Sequence, residues 1–176
     1  MTIWADADSM PVAIRSIISR RCTAAADENK IRAVFVSNKP VPMPSGKYIK
    51  AVIVGKAAAS ILGNHSNDDS GSEPGPDNAD DYIMLKAVHG DIVITRDIPL
   101  AKKLVEKGIM VINDRGAIWT MDTIKERNSI RDHITDLRKL GLAPGMDKAK
   151  NFGPKEVKAF ADAFDKAVRL ASKIIP

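Results

Sequence analysis

The sequence predicts a three-layer α/β/α fold, in which helices cover both faces of a mainly parallel central sheet of about five strands. Short apolar segments rich in β-branched residues alternate with helix-length segments, as in parallel sheets whose strands are joined by helices. Prolines near the predicted helix starts and glycines after helix ends mark the boundaries. With 176 residues, 44% of them hydrophobic and 28% charged, the chain suits a single domain over residues 1–176.

The first part of the chain carries three predicted strands and one helix. Residues 2–5 (TIWA) form a short buried strand, and a helix over residues 11–25 begins at Pro11, a residue well suited to a first helical turn. Residues 32–37 (RAVFVS) and 50–55 (KAVIVG) predict the second and third strands.

The middle of the chain continues this alternation. Residues 80–89 have a helical pattern that stops at Gly90, and residues 91–95 (DIVIT) form the fourth strand. A proline precedes the next helix, residues 100–107, and the fifth strand follows at residues 109–112 (IMVI).

Two C-terminal helices, residues 122–140 and 154–173, complete the predicted fold within a helical, basic region over residues 122–176. Residues 56–76 are rich in Gly, Ser, Asn, Asp and Pro without periodicity, so we predict a flexible insert there. The last helix has an apolar face at helical spacing, formed by Val157, Phe160, Phe164, Ala167 and Ala171.

Several protein classes are excluded by composition. No stretch of about 18 apolar residues exists, which argues against a membrane-spanning segment. The N-terminus has no basic residue and does not resemble a signal peptide. Cys22 is the only cysteine, which excludes an intrachain disulfide and a cysteine-rich zinc site. We therefore expect a cytoplasmic protein without a membrane partner, and whether it forms a homo-oligomer stays open.

The net charge of +5 resides in the last third of the sequence. Residues 124–176 contain 12 basic and 7 acidic residues, and the remainder is neutral. A basic region of this kind attracts polyanions such as nucleic acids. The alternative is a basic surface without a partner.

Acidic and amide side chains follow the predicted strands or begin the helix before the fourth strand. Parallel strands would bring these groups to one edge of the sheet, where carboxylates repel one another unless a cation neutralises them. Oxygen ligands without His or Cys favour Mg²⁺ or Mn²⁺. The residues concerned are Asp6, Asp8, Asp80, Asp81, Asp97, Asn113 and Asp114.

Helix capping is the alternative explanation for most of these residues. Asp8 and Asp97 each precede a predicted helix, and Asn78 with Asp81 has the spacing of a capping pair. Asp6 lies too early in the sequence to cap the first helix. Capping and metal binding both remain open from the residues alone.

Carboxylates that hold Mg²⁺ or Mn²⁺ can activate water and stabilise the leaving oxygen of a phosphodiester. The substrate would then be a polyanion, whose phosphates the C-terminal Lys and Arg residues would contact. Arg96, beside Asp97, is a candidate for neutralising the scissile phosphate, and its alternative role is an exposed charge at a strand end.

Six sequence blocks, in order over about residues 1–141, resemble the YaiI/YqxD family of bacterial proteins. The longest, residues 90–101 (GDIVITRDIPLA), is the most specific. The others are Asp6-Ala-Asp8 with Pro11-Val12, Ser37-Asn38, Ala79-Asp80-Asp81-Tyr82-Ile83, Asn113-Asp114-Arg115-Gly116 and Arg131-Asp132.

This family is similar to PIN-like nuclease domains, and the resemblance implies a metal-dependent nuclease. Asp6, Asp80 and the Thr95-x-Asp97 pair fall on the acidic positions of PIN domains, and a further acid maps near Asn113 or Asp114. The resemblance implies RNA as the substrate and Mg²⁺ or Mn²⁺ as the cofactor. Asp6, Asp80 and Asp97 would be catalytic and bind metal, with Asp8 and Asp81 as further ligands. The expected substrate-binding residues are Thr95, Arg96, Asn38, Asn113, Arg115 and Arg131.

Three other functions stay open. Asp6-x-Asp8 after an apolar strand resembles haloacid-dehalogenase-type phosphatases, with Asp6 as the nucleophile and Asp8 as the general acid. In that reading Thr95 binds phosphate and Lys102 or Lys103 supplies the lysine, whereas Met10 departs from the pattern. The others are a non-catalytic nucleic-acid binder on a PIN-like scaffold and a domain without a polyanion partner.

Overall fold

The computed structural model describes residues 1–8, 10–24, 31–55, 76–142 and 152–173, which contain six strands and five helices. The strands are β1 Thr2–Asp6, β2 Arg32–Ser37, β3 Ile49–Ile53, β4 Ile92–Ile94, β5 Met110–Ile112 and β6 Ile118–Trp119. The helices are α1 Val12–Ala24, α2 Ala79–Lys86, α3 Ile98–Glu106, α4 Met121–Lys139 and α5 Pro154–Ala171.

One sheet contains all six strands, in the order β3-β2-β1-β4-β5-β6. β1 is central and pairs in parallel with β2 and β4, so that Trp4 lies opposite both Val34 and Val93. β3 and β5 extend the parallel sheet on either side. The carboxyl ends of β1 to β5 therefore all lie at one edge, and the chain reverses its direction of strand addition between β1 and β4.

Two apolar clusters lie on opposite faces of the sheet, which confirms the three-layer α/β/α prediction. Ile3 belongs to the cluster beneath α1 and α5, while its neighbour Trp4 belongs to the cluster beneath α2, α3 and α4. Successive residues of a strand point to opposite faces, and both faces here are covered. This explains why the strand sequences are apolar without alternation.

The predicted strands and helices are all present, with ends that differ by a few residues. The predicted count of about five strands omitted β6, a two-residue strand that pairs antiparallel with β5. Helix α3 begins at Ile98 rather than at Leu100, because Asp97 caps it there. The predicted insert at residues 56–76 lies outside the described residues except for Pro76, and the described residues contain no helix able to cross a membrane.

Helix α5 is fixed by close packing against the turn after β5. Gly116 in that turn has φ +84°, and a Cβ there would lie 2.4 Å from the carbonyl oxygen of Ala159 in α5. Phe160, Phe164, Ala167 and Ala171 of the predicted apolar face are buried, whereas Val157 is half-buried.

The opposite edge of the sheet, at the amino ends of the strands, is held by Asp91. This residue is 5% exposed. Its Oδ1 accepts a hydrogen bond from the Thr2 backbone N–H at 2.7 Å, and its Oδ2 accepts one from Trp4 Nε1 at 2.9 Å. These bonds connect β1 to the start of β4.

Candidate functional site

Thr95 connects two of the predicted catalytic residues. Its hydroxyl donates to Asp6 Oδ2 at 3.1 Å and accepts from the Asp97 backbone N–H at 3.0 Å. Asp6 ends β1, and Thr95 and Asp97 follow the adjacent strand β4, so the register of the sheet brings them together. Thr95 is 2% exposed and holds Asp6 in position relative to the loop after β4.

Asp97 also caps helix α3. Its Oδ1 accepts a hydrogen bond from the Leu100 backbone N–H at 2.7 Å, which is the geometry of an N-cap residue. The described residues donate no hydrogen bond to its second oxygen, Oδ2. Capping and metal binding by Asp97 are therefore compatible, because each can use a different carboxylate oxygen.

Asn38 connects Asp8 to the start of helix α2. Asp8 Oδ2 accepts from the Asn38 backbone N–H at 2.9 Å and from the Asn38 Nδ2 at 2.6 Å. The carbonyl oxygen of the Asn38 side chain accepts from the Ala79 backbone N–H at 2.8 Å. A residue predicted to contact substrate thus has a structural role at the end of β2, where it fixes both Asp8 and α2.

Helix α2 delivers Asp80 and Asp81 to the same edge. Asn78 caps the helix by accepting from the Asp81 backbone N–H at 2.8 Å, and its amide donates to Asp81 Oδ2 at 2.8 Å. This confirms the predicted pairing of Asn78 with Asp81. Asp80 is half-buried, whereas Asp81 is exposed.

The charges of the cluster act on one another. Burial raises the pKa of Asp80 to about 6, and repulsion by the carboxylates of Asp97, Asp6, Asp81 and Asp8 adds to the rise. Burial likewise raises the pKa of Asp6, against the opposing hydrogen bond from Thr95. The five predicted metal-binding residues therefore form one electrostatically coupled group, which we call the carboxylate cluster.

The carboxylate cluster suits a hard cation by its chemistry. All its potential metal ligands are oxygens. Asp8 Oδ1 is buried without a hydrogen-bond partner among the described residues. In the conformation described, no three His, Cys, Asp or Glu side chains of these residues stand close enough to hold one ion. An ion held by three of these carboxylates at once would require them to move closer together.

Arg96 lies beside the cluster and pairs with Asp114 at the end of β5. One guanidinium nitrogen donates to Asp114 Oδ2, and Asp114 is 3% exposed. This hydrogen bond raises the pKa of Arg96 further above its ordinary value. The pair keeps Arg96 at the boundary between the cluster and the neighbouring strand end.

A pocket of about 270 Å³ opens next to this pair, at the ends of β4 and β5. We call it the arginine pocket, since three of its lining residues are arginines. It is lined by Arg96, Arg115 and Arg127 together with Ile98, Asn113, Asp114 and Trp119.

The other predicted substrate-binding residues fall in two places. Asn113 lines the arginine pocket, and its side-chain oxygen accepts from the backbone N–H groups of Arg115 and Ala117, both at 2.9 Å. Arg115 contacts Glu156 at 3.8 Å. Arg131 is exposed on α4 and is not among the residues that line the pocket.

Two residues of the arginine pocket, Arg127 and Trp119, were not predicted from the sequence. Arg127 lies on α4, which packs against α3, and this packing brings it beside the loop that carries Arg96. Trp119 belongs to β6, and its indole N–H donates to the Thr95 carbonyl oxygen at 3.2 Å. No local motif signals either position, because both depend on contacts between elements distant in sequence.

A larger groove of about 830 Å³ lies between α1 and α5, and none of the predicted site residues lines it. Its floor includes Ile17 and Phe164. Cys22 is buried on α1, and burial raises the pKa of its thiol to about 11, which makes it an unreactive core residue.

The sequence comparisons decide the family. Residues 64–170 match the family described as "Uncharacterized BCR, YaiI/YqxD family". The chain belongs to the YaiI/YqxD family. The matched region contains Asp80, Asp97 and Arg127, while Asp6 precedes it.

YaiI/YqxD relatives align over nearly the whole chain. A UPF0178 protein of Treponema denticola is 39% identical, over 98% of this chain and 95% of its own length. A UPF0178 protein of Psychromonas ingrahamii is 38% identical, over 98% of this chain and 99% of its own length. No solved structure matches the chain significantly.

Proposed function

We propose that this chain is a divalent-cation-dependent phosphodiesterase of the PIN-like nuclease type that cleaves RNA. The observation that carries the proposal is the carboxylate cluster. It joins Asp6 of β1, Asp80 of α2 and Asp97 after β4, three elements distant in sequence, closely enough for the charges of Asp97 and Asp6 to raise the pKa of Asp80. Repelling carboxylates kept together in this way are typical of sites that bind cations.

The position of the cluster supports a ligand site. In open α/β sheets, ligands bind beyond the carboxyl ends of the strands, where the strand order reverses. Here the reversal lies between β1, which ends at Asp6, and β4, which Asp97 follows. The parallel strand order and the placement of the acidic residues at its switch point support the PIN-like assignment.

Asp6, Asp80 and Asp97 would hold Mg²⁺ or Mn²⁺, with Asp8 and Asp81 as further ligands. A bound ion of this kind supplies an activated water and neutralises charge on the phosphate. The chain's own residues orient these groups. Thr95 fixes Asp6 and the backbone before Asp97, and Asn38 fixes Asp8.

A nucleic-acid substrate is supported by the basic residues beside the cluster. Arg96 and Arg115 lie at the ends of β4 and β5, and residues 124–176 carry the net positive charge of the sequence. Positive charge next to a cation-binding cluster suits a phosphate backbone, which needs neutralisation at several positions.

The test is cleavage of a labelled single-stranded RNA with Mn²⁺ by the wild-type chain and by Asp97→Asn. Asparagine is also a strong N-cap residue, so this variant keeps α3 capped and removes only the charge. Asp162→Asn, which removes an exposed carboxylate on α5, is the matched control. We expect cleavage by the wild type and the control and at least a hundredfold loss in Asp97→Asn, on the order of the loss of one electrostatic group in an active site. Equal cleavage by all three would refute the proposal.

The phosphatase alternative differs from the nuclease in forming a covalent intermediate on Asp6. It needs Asp8 to donate a proton, and because Asp8 Oδ2 accepts two hydrogen bonds from Asn38, that proton would have to be carried on Oδ1. Of its candidate lysines, Lys102 has its Nζ 3.9 Å from Oε1 of Glu106, one turn further along α3, and therefore pairs with that carboxylate. A covalent phosphoenzyme trapped on Asp6 with a small phosphate monoester would favour the phosphatase over the nuclease.

A further inference from the structure

Among the described residues, no carboxylate offsets the charge of one arginine of the arginine pocket, Arg127. Arg96 pairs with Asp114, and Arg115 contacts Glu156 at 3.8 Å. No carboxylate of the described residues lies within ion-pair distance of Arg127, which is exposed. A partly enclosed site with an uncompensated guanidinium attracts anions.

The wall of the pocket is fixed in place. Asp114 is buried and holds Arg96 by a charged hydrogen bond. Asn113 is buried and organises the turn after β5 through two backbone hydrogen bonds. Trp119 is also buried and forms an apolar wall. Little side-chain entropy is therefore left to lose at this wall when a ligand binds.

The size of the pocket limits what it can hold. Pockets for drug-sized ligands begin at about 300 Å³, so a pocket of about 270 Å³ suits a single phosphate with its attached sugar. Guanidinium groups present planar pairs of N–H donors that match phosphate oxygens. The apolar side chains of Ile98 and Trp119 suit the sugar rather than a second charge.

The pocket also lies at a meaningful distance from the carboxylate cluster. The cluster is centred on the ends of β1 and β4, and the pocket on the ends of β4 and β5. Neighbouring strands are about 4.8 Å apart, so one to two strand spacings separate the sites, about 5–10 Å. That separation is of the order of the distance between successive phosphates on one nucleic-acid strand.

We propose that the arginine pocket binds one phosphate of the nucleic-acid strand, next to the phosphate at the carboxylate cluster, and that Arg127 is the residue that recognises it. The identity of the bound group as a substrate phosphate rests on the proposed function, whereas anion binding by the pocket does not. The phosphate is either a terminal monoester or an internal diester, and these two sources respond differently to the test below.

The experiment measures dissociation constants by fluorescence anisotropy for short RNAs that carry a 5′-phosphate, a 3′-phosphate or only hydroxyl ends. Asp97→Asn in Mg²⁺ serves as the parent chain, so that cleavage does not interfere. Arg127→Gln is compared with Arg138→Gln, which removes an exposed arginine of α4 about 16 Å further along the helix axis. Thermal unfolding checks that both variants are folded.

We expect Arg127→Gln to weaken binding about tenfold and Arg138→Gln to have a smaller effect, since a hydrogen-bonded charge is worth about that much. A loss confined to one phosphorylated end identifies a terminal monoester. An equal loss for all three RNAs identifies an internal diester. Equal effects of Arg127→Gln and Arg138→Gln, or no effect of either, would overturn the proposal.

A second measurement separates the two proposals from each other. Inorganic phosphate should raise the unfolding temperature of the wild-type chain, and Arg127→Gln should reduce this rise more than Arg138→Gln does. This readout needs neither RNA nor cleavage. If the phosphate effect depends on Arg127 while no RNA is cleaved, the pocket stands and the nuclease proposal fails.

Discussion

Replacing Asp80 by asparagine should stabilise the protein at neutral pH. Burial and the surrounding carboxylates raise the pKa of Asp80 to about 6, so its charged form is disfavoured in the folded state. Asparagine has nearly the same shape and no charge. The folded wild-type chain holds a proton on Asp80 more tightly than the unfolded chain does, so wild-type stability falls as the pH rises from about 4 to about 6. Above that range the loss is complete.

The expected gain is about 1 kcal/mol. The rise from 3.8 to about 6 sets a ceiling of about 3 kcal/mol, since one pKa unit is worth about 1.4 kcal/mol. Asp80 is only half-buried, so solvent screening reduces this ceiling to about 1 kcal/mol. Most of the gain should be lost at pH 4.5, because Asp80 of the folded wild type is protonated and uncharged there.

The assay is urea unfolding of both proteins at pH 7.5 and pH 4.5. Asp81→Asn is the matched control, because it removes an exposed carboxylate from the same turn of α2 and loses the same interaction with the helix N-terminus. The control should show no gain. Added Mn²⁺ should stabilise the wild type more than Asp80→Asn, since the ion neutralises the repulsion. No gain at pH 7.5, or an equal gain at both pH values, would refute the reasoning.

Two further substitutions test the packing that supports the site. Asp91→Ala removes the acceptor of the buried Trp4 indole N–H and should lower the free energy of unfolding by about 2–3 kcal/mol. Asp91→Asn should have a stability between those of the wild type and Asp91→Ala. A urea midpoint of Asp91→Ala within error of the wild type would contradict this. Gly116→Ala forces a Cβ against the Ala159 backbone and should cost about 3 kcal/mol or more, whereas Gly141→Ala, with positive φ but nothing within 4 Å, should cost about 1 kcal/mol. Equal unfolding temperatures for the two alanine variants would contradict the expected clash at Gly116.

The sequence predicted the sheet well because its signals are local. Apolar runs, prolines and glycines identified β1 to β5 and the helices between them. The edge that gathers Asp6, Asp80 and Asp97 followed from the parallel arrangement alone. The prediction of helix capping was also correct for Asp97 and Asn78. For Asp97 this leaves metal binding possible, since a carboxylate has two oxygens and can cap a helix with one of them.

Other features lay beyond local signals. The two residues of β6 are too few for a pattern, and their pairing with β5 depends on a turn held by Asn113. Asn38 was predicted to contact substrate, but it connects Asp8 to the start of α2. Its hydrogen-bond partner in α2, Ala79, is 41 residues away in the sequence. Arg127 reaches the arginine pocket only because α4 packs on α3. Such contacts are fixed by tertiary packing and not by spacing in the sequence.

The position of α5 bears on how the chain is made. The strands are complete by Trp119, but the face of the sheet beneath α1 gains Phe160, Phe164, Ala167 and Val168 only from the last described helix. During translation this apolar face stays partly uncovered until α5 leaves the ribosome, which is the condition under which nascent chains aggregate or recruit chaperones. The turn at Gly116 has no side chain where the Ala159 backbone approaches, so α5 can pack against this turn and complete the domain.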